Sequence, residues 1–434
     1  MPEELNLKSM DLAAIVRAED TVMWGQAGAE PLPLTRALMA RRHAVGRFNV
    51  FLGATYSDTL KPEYADCVGF SSYCGAGANR ILAKAGKLDI LPCHYSQLPE
   101  MIASGRLKID VLMLQVAPAN EEGCYSFGIA HEYLISAIDS ARVVIAEVNE
   151  DAPWTYGERM LCEGDLDYIV RTSRAPLELH HPPPSAVELA IAGHVAGMID
   201  DGATLQFGLG ALPETILSRL ADRRDLGVHS GGLGDQAAAL MKAGVITNRR
   251  KSIDCGYTVA GVMLGSRRLY EYAHRNPAVQ FRSTSYTHNP DVLARIERFV
   301  AINSAVEVDL TGQINAEVAG GIYVGAVGGA LDFLRAAHRS KGGLPVVALP
   351  STAGTASRIV SRLNGPVTTP RSDAGLVVTE YGIADLRGLP LSQRVERMIA
   401  VAHPDFREKL TQASAVEGIF RSYRKERVYS IPPP

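Results

Sequence analysis

The sequence predicts an α/β protein built as two related open-sheet domains with a cleft between them, and three observations carry that prediction. At 434 residues the chain is too long for one ordinary core and suits two domains or one large divided one. FNVFLGATYSDT (48–59), IDVLMLQVAP (109–118) and ARVVIAEVNE (141–150) each open on a compact aliphatic run and then turn polar. Such runs suit strands covered on both faces, which means parallel sheet with helices packed outside. The third observation is a restart. In 168–190 the run Pro182, Pro183, Pro184 can continue neither helix nor sheet, and the same βα grammar resumes after it. The boundary is placed at about 175–186, giving domains of residues 1–180 and 186–434.

Taken in order, a short leading helix precedes TVMWGQAGAEPLPLTRALMARR (21–42), which reads as strand, glycine turn and helix. The three apolar runs above follow as strands. Ser185 with Glu188 three residues on has the form of a capping box and starts a helix over SAVELAIAGHVAGMI. ATLQFG is a strand, and GLGALPETILSRLADR is a glycine turn followed by a helix. DLGVHSGG with DQAAALMKAGVI, YTVAGVMLG with SRRLYEYAHRNP, and LPVVALP with its loop repeat the alternation. VTTPRSDAGLVVTEYGIADL supplies two further apolar cores, and HPDFREKLTQASAVEGIFR reads as a surface helix. No short repeat period is present.

Composition excludes several classes. Apolar residues make up 47% of the chain and charged residues 21%, which rules out long disorder. A net charge of −3 gives no general attraction for nucleic acid or anionic membrane. The six cysteines form no CxxC pair and no zinc or disulfide framework, so they read as core residues or isolated thiols in a reducing compartment. The acidic start lacks a signal-peptide pattern, and no apolar run is long enough to span a membrane, so cytoplasmic residence is the expectation. No metal site is expected.

Chemistry is sought at the glycine loops. Gly208 and Gly210 follow an apolar strand and precede a helix, so their backbone amides can face an anion or an acyl oxygen. Pro213 in the sixth place breaks the dinucleotide pattern, and a nicotinamide enzyme is only weakly supported. In 321–343, Gly325, Gly328 and Gly329 allow an approach too close for a Cβ, with tight turns as the plainer explanation. Lys341 near the end of that run joins the cofactor-binding candidates. GVHSGGLGD (227–235) offers His229 as a base or hydrogen-bond donor, with a structural histidine as the competing reading, and Asp235 as a second base candidate. No GxSxG or HExxH occurs, which disfavours a serine hydrolase or zinc protease. Trp24, Tyr73, Phe281 and Tyr286 suit either a pocket or a core.

Residues 357–410, from SRIVSRLNGPVTTPRSDAG to HPDFREKL, resemble the C-terminal signature of the acetyl-CoA hydrolase/CoA-transferase family, which includes 4-hydroxybutyrate CoA-transferases. INSAVEVDLTGQINAE, DGATLQFGLGALPE, AGVITN and VVIAEVNEDAPWTYGE are similar to its other blocks, in the same order. The resemblance implies two domains of the CoA-transferase type, with coenzyme A or an acyl-CoA as substrate in the cleft and held mainly by the C-terminal domain. It also implies a small carboxylate or other acceptor and a homo-oligomer, commonly a homodimer.

In such transferases a glutamate in a GxHSE motif attacks the thioester and then carries CoA as a glutamyl thioester. The residues that align here are Gly227, Val228, His229, Ser230 and Gly231, so the glutamate position holds Gly231. Relatives usually show GVGGQVDF where this chain has AVGGALDF, with Ala330 at the glutamine. The expectation is therefore acyl-CoA turnover without the usual glutamyl-CoA intermediate. Thioester hydrolysis and a non-catalytic CoA-binding subunit are the alternatives. A replacement carboxylate is available by sequence in Glu147, Glu158 or Glu317.

Overall fold

A computed structural model describes residues 2–6 and 9–416. Two large sheets dominate it. The first has eight strands, all parallel, drawn from residues 3–172. The second has six, drawn from residues 204–385, with only the last pair, Leu376–Thr379 and Gly382–Asp385, antiparallel.

The apolar runs become strands Phe48–Leu52, Val111–Val116 and Val143–Asn149, and the last two are buried at every residue. Alternation along them divides the core. Val111, Met113 and Ile145 pack into a cluster on one face of the first sheet, whereas Leu112, Leu114, Val144 and Ala146 enter a larger cluster on the other. That larger cluster also takes Leu205, Phe207, Val300 and Ile302 from the second sheet, so one apolar layer lies between the two sheets. Phe299, Ala301 and Val347 face a third cluster beyond the second sheet.

Local signals decide the element ends. Ser185 accepts from the Glu188 amide and the Glu188 carboxylate reaches back to Ser185, closing the capping box that starts the helix Ala186–Ala196. YTVAGVMLG, read as one strand, is two, Thr258–Ala260 and Val262–Met263, because the chain turns at Gly261. The first of these joins Val279–Phe281 and Tyr156–Gly157 in a small parallel sheet made from both halves of the chain. The terminal surface helix spans Pro404–Val416, and residues 417–421 of the predicted segment lie outside the described residues. Among the described residues no helix is long and apolar enough to cross a membrane.

Candidate active site

Strand order locates the crevices. In the first sheet Thr21–Trp24 is followed outward on one side by Phe48–Leu52 and on the other by Val111–Val116. In the second, Thr204–Phe207 has Gly227–Val228 on one side and Phe299–Ser304 on the other. Beyond the carboxyl ends of such switch-point strands a gap opens that ligands use. Gln26 stands just past the first switch point, and Gly208 and Gly210 stand just past the second.

Four further glycines bear on the site. Gly231 is half-buried just before the short strand Gly232–Leu233, and Gly325, Gly328 and Gly329 are half-buried before the helix Ala330–Arg339. Gly328 has φ +57°, which favours glycine, and a Cβ at Gly325 would overlap the Ala316 carbonyl. The loop is pinned to the other half of the chain: Gly75 N donates to Gly325 O at 2.8 Å and Tyr95 N to Gly328 O at 3.0 Å. Between Gly231 and Gly329 lies the imidazole of His288. A Cβ on Gly231 would stand 2.9 Å from its Cε1, and one on Gly329 would overlap its Nε2. The ring packs on Tyr95 (centroids 5.0 Å) and Phe333 (4.5 Å). Thr287 Oγ1 donates to Ser283 O, so it accepts from His288 Nδ1, which leaves Nε2 without a proton. Burial lowers the His288 pKa to about 3 and keeps the ring neutral.

Beside this ring is a buried polar cluster. Gln26 Oε1 accepts from Tyr73 OH (2.7 Å) and Ala54 N (2.9 Å), which turns its amide nitrogen toward Glu132 Oε2 (2.6 Å) and Tyr95 OH (2.9 Å). Tyr95 OH also donates to Glu132 Oε2, while Glu132 Oε1 is buried without a hydrogen-bond partner among the described residues. Burial raises the Glu132 pKa to about 8, against the lowering effect of Gln26. The backbone at Glu132 is held in the left-handed region at φ +39°. Its placement follows from an antiparallel clamp, in which His131 N donates to Gly261 O and Met263 N to Ile129 O, both at 3.0 Å. Gly261 N and Val262 N in turn donate to Gly231 O, at 3.0 and 3.1 Å. Glu132 Cγ and Gly231 O would both touch a Cβ on Gly261, at 3.2 and 3.1 Å.

The structure brings Gly231 and Gly329 together against His288, with Gly328 next to Gly329 in the chain, and Gly208 and Gly210 follow the strand Thr204–Phe207. Among the described residues the amides of Gly210 and Gly329 have no acceptor, whereas Gly208 N already donates to Ile302 O and Gly328 is bridged to His94. His229 is fully buried. Its Nε2 bonds Thr287 O at 3.2 Å, its ring packs against Tyr286, and burial lowers its pKa to about 3. It therefore holds the turn that presents His288. Asp235 bonds Ser266 through both carboxylate oxygens, at 2.9 and 2.7 Å. It faces a cavity of about 1390 Å³ that is also lined by His180, Pro182, Glu214, Lys242 and Arg267, and that none of Gly231, His288 or Gly329 borders. Lys341 is exposed past the far end of the helix Ala330–Arg339, about 15 Å of helix from Gly329.

The three carboxylates considered from sequence stand elsewhere. Glu147 is fully buried and clamped by Arg174 and Thr172, Glu317 is bonded to Tyr323 and Thr368, and Glu158 is exposed. Trp24 and Phe281 are core residues, Tyr73 borders the polar cluster, and Tyr286 bonds Asp254. Gln26, Tyr95, Glu132 and His288 escape sequence reasoning because they lie in four separate segments with no shared motif.

Two largely parallel sheets sharing one apolar layer, with helices between their strands, define an α/β enzyme of the open-sheet type. Residues 5–178 match the acetyl-CoA hydrolase/transferase N-terminal domain and residues 265–414 the C-terminal domain. The chain is 41% identical over 338 residues to the 4-hydroxybutyrate coenzyme A transferase of Clostridium kluyveri, covering 77% of this chain and 79% of that one. It is 33% identical over 414 residues to the succinyl-CoA:cyclohexane-1-carboxylate CoA transferase of Geobacter metallireducens, covering 93% and 94%. The crystal structure of RipA from Yersinia pestis superposes with a TM-score of 0.90 at 34% identity, covering 95% of this chain and 97% of that one. The chain belongs to the acetyl-CoA hydrolase/CoA-transferase family and is an acyl-CoA-utilising enzyme of that family.

Proposed function

We propose that this enzyme transfers CoA between an acyl-CoA and a small carboxylic acid, with the thioester carbonyl held beside Gly231. The observation that carries the reading is the pair of amides at Gly210 and Gly329, which have no acceptor among the described residues and stand half-buried at helix N-termini, the second against His288 beside Gly231. Preorganised amides of this kind stabilise the charge that develops on a thioester oxygen during attack. Small aliphatic or alicyclic carboxylic acids are the class suggested by the names of the two curated relatives, which include 4-hydroxybutyrate, succinyl-CoA and cyclohexane-1-carboxylate. Gly231 stands where the resemblance puts the family glutamate, so the covalent relay cannot run through that position. His229 is a positioning residue in this reading, and Asp235 and Lys341 have no part in the chemistry.

Domains of residues 1–180 and 186–434 are proposed from the division of the sheets at 172 and 204. Six free cysteines fit the reducing cytoplasm, and a homo-oligomer follows from the resemblance alone. Thioester hydrolysis is the second reading, favoured by the missing side chain at Gly231.

A panel of acyl-CoAs, each incubated with the protein and a mixture of small carboxylates, tests the reading by mass spectrometry with free thiol recorded alongside. New acyl-CoA species without net thiol release support transfer. Thiol release without exchange replaces transfer with hydrolysis, and CoA binding with no turnover replaces both with a binding subunit.

A further inference from the structure

We propose that Glu132 supplies the carboxylate that attacks the acyl thioester, in place of the side chain absent at Gly231. The inference rests on the reading of the chain as a CoA-transferring enzyme and names the residue that makes covalent transfer available to it.

Several independent features single out Glu132. It is a fully buried carboxylate, and among the described residues no cation is bonded to it and one oxygen has no partner. Its backbone is strained, at φ +39°. Burying such a group costs free energy that ordinary packing would not impose, and costly features of this kind gather where a protein does chemistry. Its other oxygen is fixed by Gln26 and Tyr95, and Gln26 is itself oriented by Tyr73 and Ala54. The carboxylate is thus aimed rather than merely tolerated. Gly261 lies beside both it and the half-exposed Gly231, because a Cβ at 261 would touch both the Glu132 side chain and the Gly231 carbonyl. Glu147, Glu158 and Glu317 are engaged or exposed elsewhere, as described above.

The chemistry balances without an added reagent. Oε1 attacks the acyl carbon, a C–O bond forms and the C–S bond breaks. Its electron pair goes to sulfur, and CoA leaves as the thiolate while Gln26 and Tyr95 keep donating to Oε2. The mixed anhydride is then attacked at the glutamyl carbon by the CoA thiolate; C–S forms, C–O breaks, and the first acid leaves as its carboxylate. An incoming acid reverses the two steps and regenerates Glu132. Proximity supplies the effective concentration that a carboxylate lacks in water.

The full chain is incubated with acetyl-CoA or butyryl-CoA, reduced with sodium borohydride, digested and analysed by mass spectrometry. The expected result is a primary alcohol at Glu132 after either acyl-CoA and an unchanged residue after CoA alone. Glu132→Gln is expected to keep the melting shift given by CoA and to lose exchange into small carboxylates at least about 100-fold. Reduction at another carboxylate, exchange by Glu132→Gln within about threefold of the native chain, or thiol release with no reducible adduct would each overturn the assignment while leaving acyl-CoA turnover intact. Absence of both turnover and any melting shift with CoA would instead remove the underlying reading, and the assignment with it.

Discussion

His288 occupies the space into which a side chain at Gly231 would grow: its Cε1 lies 2.9 Å from the position of a Cβ there, too close for both to remain. The ring is also held by Tyr95, Phe333 and Thr287. Placing a carboxylate there with Gly231→Glu is therefore expected to lower the melting temperature and to give no gain in CoA exchange. Overpacking of this kind costs about 1–3 kcal/mol. The double change Gly231→Glu with His288→Ala removes the obstacle and should recover most of the lost stability. A large rise in exchange for Gly231→Glu alone would show that His288 swings aside freely.

A second expectation concerns pH. Glu132 has a pKa of about 8 in the folded chain against an ordinary value of 4.5, mainly through burial. The folded state holds a proton that the unfolded state has released over that window. The associated stability is fully present below about 4.5 and is lost as pH rises through about 8, at a slope of up to about 1.4 kcal/mol per pH unit. Buried His229 and His288 act in the opposite direction at lower pH. The difference between native and Glu132→Gln proteins isolates the glutamate. Melting curves from pH 5 to 9 should converge at the acid end and separate in favour of the variant at the alkaline end, and parallel curves would sink the assignment.

The ion pair of Arg174 and Glu147 gives a third. Arg174 Nε and Nη2 each lie 2.7 Å from a different oxygen of a carboxylate with no exposed side-chain surface. Arg174→Ala leaves that charge buried with Thr172 as its one side-chain donor among the described residues. Breaking such a pair costs about 3–5 kcal/mol, readable as a lower midpoint in urea. A midpoint unchanged within error would mean that water reaches Glu147.

The large architecture was legible because it rests on local patterns. Apolar runs gave the central strands, and Ser185 with Glu188 gave a helix start confirmed by both hydrogen bonds. The site was legible only as glycine loops. Gln26 and Glu132 are 106 residues apart and Tyr95 is 37 from Glu132, so their cluster has no sequence period to announce it. Glu132 itself sits in IAHEYLIS, which looks like an ordinary helix approach. The turn at Gly261 was missed for a related reason. YTVAGVMLG is apolar throughout, and only the contact of Gly261 and Val262 with Gly231 O splits it.

His229 offers a direct test of position against proton transfer. Its Nε2 reaches Thr287 O at 3.2 Å, and Thr287 anchors His288. A glutamine amide can reproduce that donor, whereas it cannot accept and return a proton near neutral pH. His229→Gln should therefore keep CoA exchange within about tenfold of the native rate, while loss of a true general base would cost about 10²–10⁴-fold. His229→Leu removes the bond as well as the ring. It is expected to lower stability by about 1–3 kcal/mol by leaving the Thr287 carbonyl without that donor, and to slow exchange through a displaced His288. A fall of more than a hundredfold in the glutamine variant, at unchanged melting temperature, would return His229 to the reacting centre.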